Sequence, residues 1–203
     1  MIANYFWNVC LCEALYPALN AIEITLRNSI HSNLSRRYDD DHWFDRPNLL
    51  EDRQRKQVEE AYQRLRLRHR PENAGRIVAE LHFGFWSSLL NRPYEGSFWA
   101  PNGYELLRRT FPDASRRLQK PTLFRSRVYE INTFRNRVFH YEPIWKLADL
   151  ARIHEQILEA IGWLSSAMRN WVTHFDRFHE VYQQRRATYE RQVLSVLPQQ
   201  TDR

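Results

Sequence analysis

Three side chains two-thirds of the way along this 203-residue chain have the types and spacing for acid–base chemistry at a phosphodiester. They lie in the segment Phe134-Arg135-Asn136-Arg137-Val138-Phe139-His140-Tyr141-Glu142-Pro143-Ile144-Trp145. On a helix, Asn136 and His140 are four apart and share a face, and Arg135 on the adjacent edge reaches the same spot. An imidazole that titrates near neutrality beside a phosphate-binding arginine is what such a reaction needs. Pro143 ends the helix, because the residue before proline avoids the α region. The negative helix end then favours protonated imidazole, and the neighbouring arginines oppose it.

The spacing needs its neighbours to mean anything. An arginine four to six residues earlier precedes six of the eight histidines, so that looser pattern carries no weight. Requiring Arg-Asn-x-x-x-His leaves Arg135-Asn136…His140 and Arg169-Asn170…His174. The second lies at a Trp-rich helix junction, where capping and packing account for it equally well.

Charge points to the first. Only Lys56, Lys120 and Lys146 are lysine, so 30 − 3 leaves 27 arginines, and the net charge is +6. On count alone a GC-rich coding sequence yields the same surplus. Its location says more. From Arg108 to Arg137 eight arginines and Lys120 face Asp113 and Glu130, so 9 − 2 gives +7 and the rest of the chain sums to −1. Concentrated positive charge attracts polyanions; a solvated helix face is the plain alternative. Cys10 and Cys12 are the only cysteines, too close to bridge usefully and without a second pair for a zinc site. They read as small buried residues in a reducing compartment. The N-terminus lacks the charged and apolar regions of a signal peptide, and no run approaches the roughly 20 apolar residues that span a bilayer. The expectation is a cytoplasmic protein with no membrane partner.

Five glycines and few β-branched runs speak against a sheet protein. Apolar residues recur at three- and four-residue intervals over about 4–37, with Pro17 a possible kink. Further helices are expected over about 48–68, from 71 to before Pro93, 104–110, 113–118, 122–141, 144–171 and 173–196, with a loop over 91–103. The fold class is all-α, one domain over 1–203, and the last helix is assigned to dimerisation or to covering the rest.

In this context the 135–145 motif resembles the Abi-like (abortive infection, AbiD/AbiF-type) proteins of the HEPN ribonuclease superfamily. Two other stretches match the same family in the same order. One is Ala14-Leu15-Tyr16-Pro17 followed by Glu23-Ile24-Thr25-Leu26-Arg27-Asn28-Ser29-Ile30-His31, and the other runs from Gly75 to Trp86. The resemblance implies a HEPN-like helical bundle with additional peripheral helices and metal-independent RNA cleavage without a cofactor. It implies a homodimer whose two motifs form one composite active site. His140 would be general base or acid, Arg135 would stabilise the phosphorane, and Asn136 would orient the imidazole or a phosphate oxygen. The products would be a 2′,3′-cyclic phosphate and a 5′-hydroxyl. Glu23, Arg27, Asn28, Arg125, Arg127, Arg137 and Tyr141 are the supporting or RNA-binding candidates.

Several of these have plainer readings. Glu23 and Arg27 are either a surface intrahelical pair or a buried pair beside the motif helix. Tyr141 and Trp145 either stack on bases or pack. His31 and the Phe83–Trp86 stretch read as structural. The functional expectation is a growth-arrest toxin or anti-phage effector that cuts RNA, with a protein or RNA antitoxin as a further partner. The alternative is a non-catalytic HEPN-type module that binds RNA, a nucleotide or a protein.

Overall fold

The computed structural model describes residues 1–118 and 120–196, and among these every regular element is helical. The all-α expectation holds. The helices are α1 (Ile2–Tyr38), α2 (Asp52–Leu67), α3 (Ala74–Glu80), α4 (Phe83–Ser88), α5 (Pro101–Thr110), α6 (Pro121–Phe139), α7 (Leu150–Leu164), α8 (Ser166–Phe175) and α9 (Phe178–Val196).

The bundle is organised around α1. Leu11, Leu15, Leu19, Ile22, Leu26 and Ile30 follow the helical repeat and are almost wholly buried. The helix continues through Pro17 and packs against α4, α5, α6, α7, α8 and α9. Contrary to the sequence expectation, α1 is long and apolar enough to cross a membrane by length and composition; half of its most apolar stretch is buried within the bundle. A helix surrounded by other helices is apolar on most of its circumference for the same reason. The stripe joins one contiguous core that reaches from Leu11 to Phe178 and includes Trp43, Trp86 and Trp99.

Several boundaries differ from the sequence reading: the helix expected over 113–118 is only a short turn at Arg116–Leu118, and the one expected from 144 starts at Leu150. The helix expected to continue from 71 towards Pro93 breaks into α3 and α4, because Leu81 and His82 are extended. The break is held from both sides. Arg64 donates to the Glu80 carbonyl and carboxylate at 3.0 Å each, and Trp86 Nε1 donates to the Leu81 carbonyl at 3.2 Å. The 91–103 segment, expected as a loop, is mostly wound into short turns, since Tyr94, Phe98 and Trp99 are buried. The last two long helices are three. Ser165 caps α8 by accepting from the Met168 amide, and Asp176 accepts from the Phe178 amide at 2.8 Å, which starts α9. α9 lies against α1 and α7, with Trp7 Nε1 of α1 donating to the Val181 carbonyl at 3.2 Å.

His31 takes the structural place expected for it. Its Nδ1 accepts a 3.1 Å hydrogen bond from the Trp43 indole, and burial lowers its pKa below the ordinary 6.5. The unfolded chain therefore binds this proton more readily than the folded one. Stability contributed by His31 is full above about pH 6.5 and is lost as pH falls through the lowered value. Urea unfolding at pH 5.5 and 7.5 should show a smaller pH dependence for His31→Gln than for wild type. An imidazole NMR titration that places His31 at or above 6.5 contradicts this.

Candidate functional site

The 135–140 motif occupies the last turn of α6 and is held there by α1. Asn136 lies in the final turn, and His140 is the C-cap, its amide donating to the Asn136 carbonyl at 3.0 Å. Tyr141 then adopts a left-handed conformation (φ 54°), and the Glu142 amide donates to the Arg137 carbonyl at 3.0 Å. This reversal satisfies carbonyls that a helix end leaves free and stops α6 directly at the histidine. Three contacts fix α1 and α6 as antiparallel neighbours. Asn8 meets Glu142, Tyr16 meets Phe139, and Glu23 meets Arg135.

Arg135 is the best-held residue of the motif. Its Nη2 donates to Glu23 Oε2 at 3.2 Å, with both side chains largely buried. Its guanidinium carbon sits 4.1 Å from the centroid of the Phe139 ring, a cation–π contact. Tyr16 covers the other part of that ring at 5.1 Å. Nε of Arg135 is buried and has no hydrogen-bond partner among the described residues. Glu23 therefore sets the direction of the guanidinium, and the unpaired Nε is shut away from solvent. A hydrogen bond with Tyr141, followed by burial, pushes the Tyr16 hydroxyl up to about 12. Tyr141 itself is 60% exposed.

Asn136 and His140 are exposed, as a ligand-facing pair requires. Glu23 bonds to Arg135 across the helices and forms no ion pair with Arg27 among the described residues, so the expected Glu23–Arg27 pair is replaced by a cross-helix one. Arg27, one turn further along α1, is partly buried; its Nε donates to the exposed Asn28 side chain at 3.3 Å. Arg137 pairs with Glu142 at 2.9 Å. Arg125 and Arg127 are drawn into other ties, to Glu95 at 3.4 Å and Glu159 at 2.5 Å, and both are mostly buried.

These pairings change what the basic segment offers. Arg109, Arg125, Arg127, Arg135 and Arg137 all meet carboxylates, most of them from outside the segment. Arg116, Arg117 and Lys120 are exposed and form no salt bridge among the described residues. They precede α6, whose 19 residues separate them from His140 by roughly 28 Å at 1.5 Å per residue. The surplus charge near His140 is smaller than the sequence sum suggests, and Arg116, Arg117 and Lys120 lie before the opposite end of α6.

The rival motif is built differently. Arg169, Asn170 and His174 are exposed on α8, and Arg169 has no acidic partner among the described residues; its side chain lies along Gly162 of α7 instead. Trp171 and Phe175 stack beside it at 6.2 Å. Its arginine rests on α7 without the cross-helix ion pair that holds Arg135 among the described residues.

The residues that sequence reading missed are those that hold the motif. Asn8 is buried and bridges two strands of the turn after His140, donating from Nδ2 to the Glu142 carbonyl at 3.1 Å and accepting from the Trp145 amide at 3.4 Å. Trp145 packs beside Trp7, with centroids 6.3 Å apart. A polar residue among the apolar positions of α1 was the available signal. No protein-family model, curated protein or solved structure matches the chain. The family likeness rests on its three sequence motifs.

Replacing Asn8 with leucine leaves a carbonyl and an amide unpaired beneath the turn. The expected loss is about 1–3 kcal/mol of unfolding free energy, with a changed imidazole environment at His140. Urea titration and histidine NMR measure both. A loss within about 0.5 kcal/mol, the range of an ordinary surface change, contradicts the bracing role.

Proposed function

We propose that this chain is a metal-independent RNA endonuclease of the HEPN type, related to the Abi-like proteins. The observation that carries the reading is the end of α6, where an exposed His140 and Asn136 stand beside an Arg135 whose guanidinium is aimed by Glu23. One imidazole takes the proton from an RNA 2′-hydroxyl, and the 2′-oxygen attacks the adjacent phosphorus. The bond to the 5′-oxygen breaks and a second imidazole protonates that oxygen, giving a 2′,3′-cyclic phosphate and a 5′-hydroxyl. Arg135 donates to the phosphorane oxygens as charge builds, an effect typically of about 3–4 kcal/mol per donor. The second imidazole is His140 of another copy, in a homodimer that faces two α6 ends towards each other. Exposed Ile24 and Tyr141 beside the motif supply apolar surface for that contact or for base stacking.

Arg116, Arg117 and Lys120 then bind RNA phosphates away from the scissile bond, along the length of α6. Such an activity, unrestrained, arrests growth, so the physiological role is a toxin or anti-phage effector held silent by a protein or RNA antitoxin. A second reading is favoured by one observation: Arg135 is already neutralised by Glu23. In that reading the same surface is a non-catalytic module that binds RNA, a nucleotide or a protein.

Single-stranded RNA incubated in EDTA with wild type and His140→Ala separates these readings. Cleavage by wild type and a loss of at least about 100-fold in the variant are expected. Binding without cleavage supports the module. Cutting of an all-2′-deoxy substrate, or activity that survives the histidine change, contradicts the mechanism. His174→Ala should cleave at the wild-type rate.

A further inference from the structure

A second cluster of imidazoles and carboxylates lies between α7 and the start of α9, away from the α6 motif. His154 of α7 is fully buried, yet neither of its ring nitrogens makes a hydrogen bond of good geometry among the described residues. Glu155 Oε1 stands 3.9 Å from that nitrogen and 3.1 Å from Nε2 of His179 on α9. One donor atom from each of His154, Glu155 and His179 lies within 4.8 Å of the others. The opposite nitrogen of His154, Nε2, is 2.7 Å from Asp176 Oδ2.

We propose that His154, Glu155 and His179 bind a divalent transition ion of the zinc class, with Asp176 positioning His154. With the Asp176 carboxylate 2.7 Å from Nε2, a proton on that nitrogen would leave the Nδ1 lone pair for the ion. A ligating histidine whose second nitrogen faces a carboxylate is the usual arrangement around bound metals. Ligand atoms about 2.0–2.1 Å from zinc stand roughly 3.3 Å apart at the tetrahedral angle, between the two separations observed. Rotation of the half-exposed Glu155 and His179 side chains closes the remaining difference. Two imidazoles and one carboxylate suit zinc and its neighbours rather than magnesium or calcium, which prefer oxygen alone. The three donors leave a fourth position for water.

The ion would link α7 to the first turn of α9, the helix that packs along α1. His154 also stacks on Phe178 with centroids 4.2 Å apart, so the same turn is held by packing and by the metal. Cysteine spacing could not reveal the site, because its donors are imidazoles and a carboxylate 24 residues apart in sequence.

The test uses the full chain stripped with EDTA and titrated with Zn²⁺ alone, followed by calorimetry and thermal unfolding. One equivalent should bind and raise the Tm. His179→Ala and Glu155→Gln, which alter exposed side chains and should keep the fold by circular dichroism, should each weaken binding at least about tenfold, and Asp176→Asn by about 10–100-fold. His174→Ala should bind as wild type does. The absence of a saturable equivalent, or binding that His179→Ala leaves unchanged, overturns the proposal. Cleavage of RNA plays no part in this readout, so the result stands apart from the ribonuclease reading.

Discussion

The ion pair between Glu23 and Arg135 is the constraint around which the motif is arranged. A guanidinium cannot be deprotonated, so one lying largely out of water needs a counter-charge nearby. Glu23 supplies it from the neighbouring helix, and Phe139 and Tyr16 supply the surface under it. With that contact made, the antiparallel register of α1 and α6 follows. Tyr16 then reaches Phe139 and Tyr141, and Asn8 reaches the turn beyond His140. A slip of one residue in either helix would turn these side chains by about 100° and break all the contacts together.

The same logic runs along the rest of α1. The helix is apolar on most of its circumference, and several of its polar residues tie it to neighbouring elements. Ser29 donates to the Thr110 carbonyl and Asn33 to the Arg109 carbonyl, which docks the end of α5. Arg37 donates to the Phe98 carbonyl at 2.8 Å, and His31 accepts from Trp43. Apolar burial supplies most of the stabilisation but has no preferred direction. Polar ties that would be left unsatisfied by any other docking give the bundle a single arrangement.

The sequence made the helical class legible because apolar residues recur at the helical period, most clearly from Leu11 to Ile30. It also placed Arg135, Asn136 and His140 on one helix end, since Pro143 forces the stop. Breaks without proline were harder. The one at Leu81–His82 depends on Arg64, 16 residues away from Glu80, and the one at Asp176 on a side chain capping its own turn. Charge was the least transferable signal. The +7 from Arg108 to Arg137 is a correct sum over sequence, but carboxylates from distant parts of the chain meet Arg125, Arg127 and Arg135, and near neighbours meet Arg109 and Arg137. The partner of Glu23 was similarly hidden, because Arg27 at four residues is the obvious local choice and Arg135 is the actual one.

The central claim is that Glu23 and Arg135 act as one unit in positioning the α6 end. A double-mutant cycle of Glu23→Gln and Arg135→Met, read by urea unfolding, tests it directly. The account predicts that the double variant is less destabilised than the sum of the singles by at least about 1 kcal/mol, as expected for residues in contact. Single effects that add to within about 0.3–0.5 kcal/mol, the behaviour of independent sites, would contradict it.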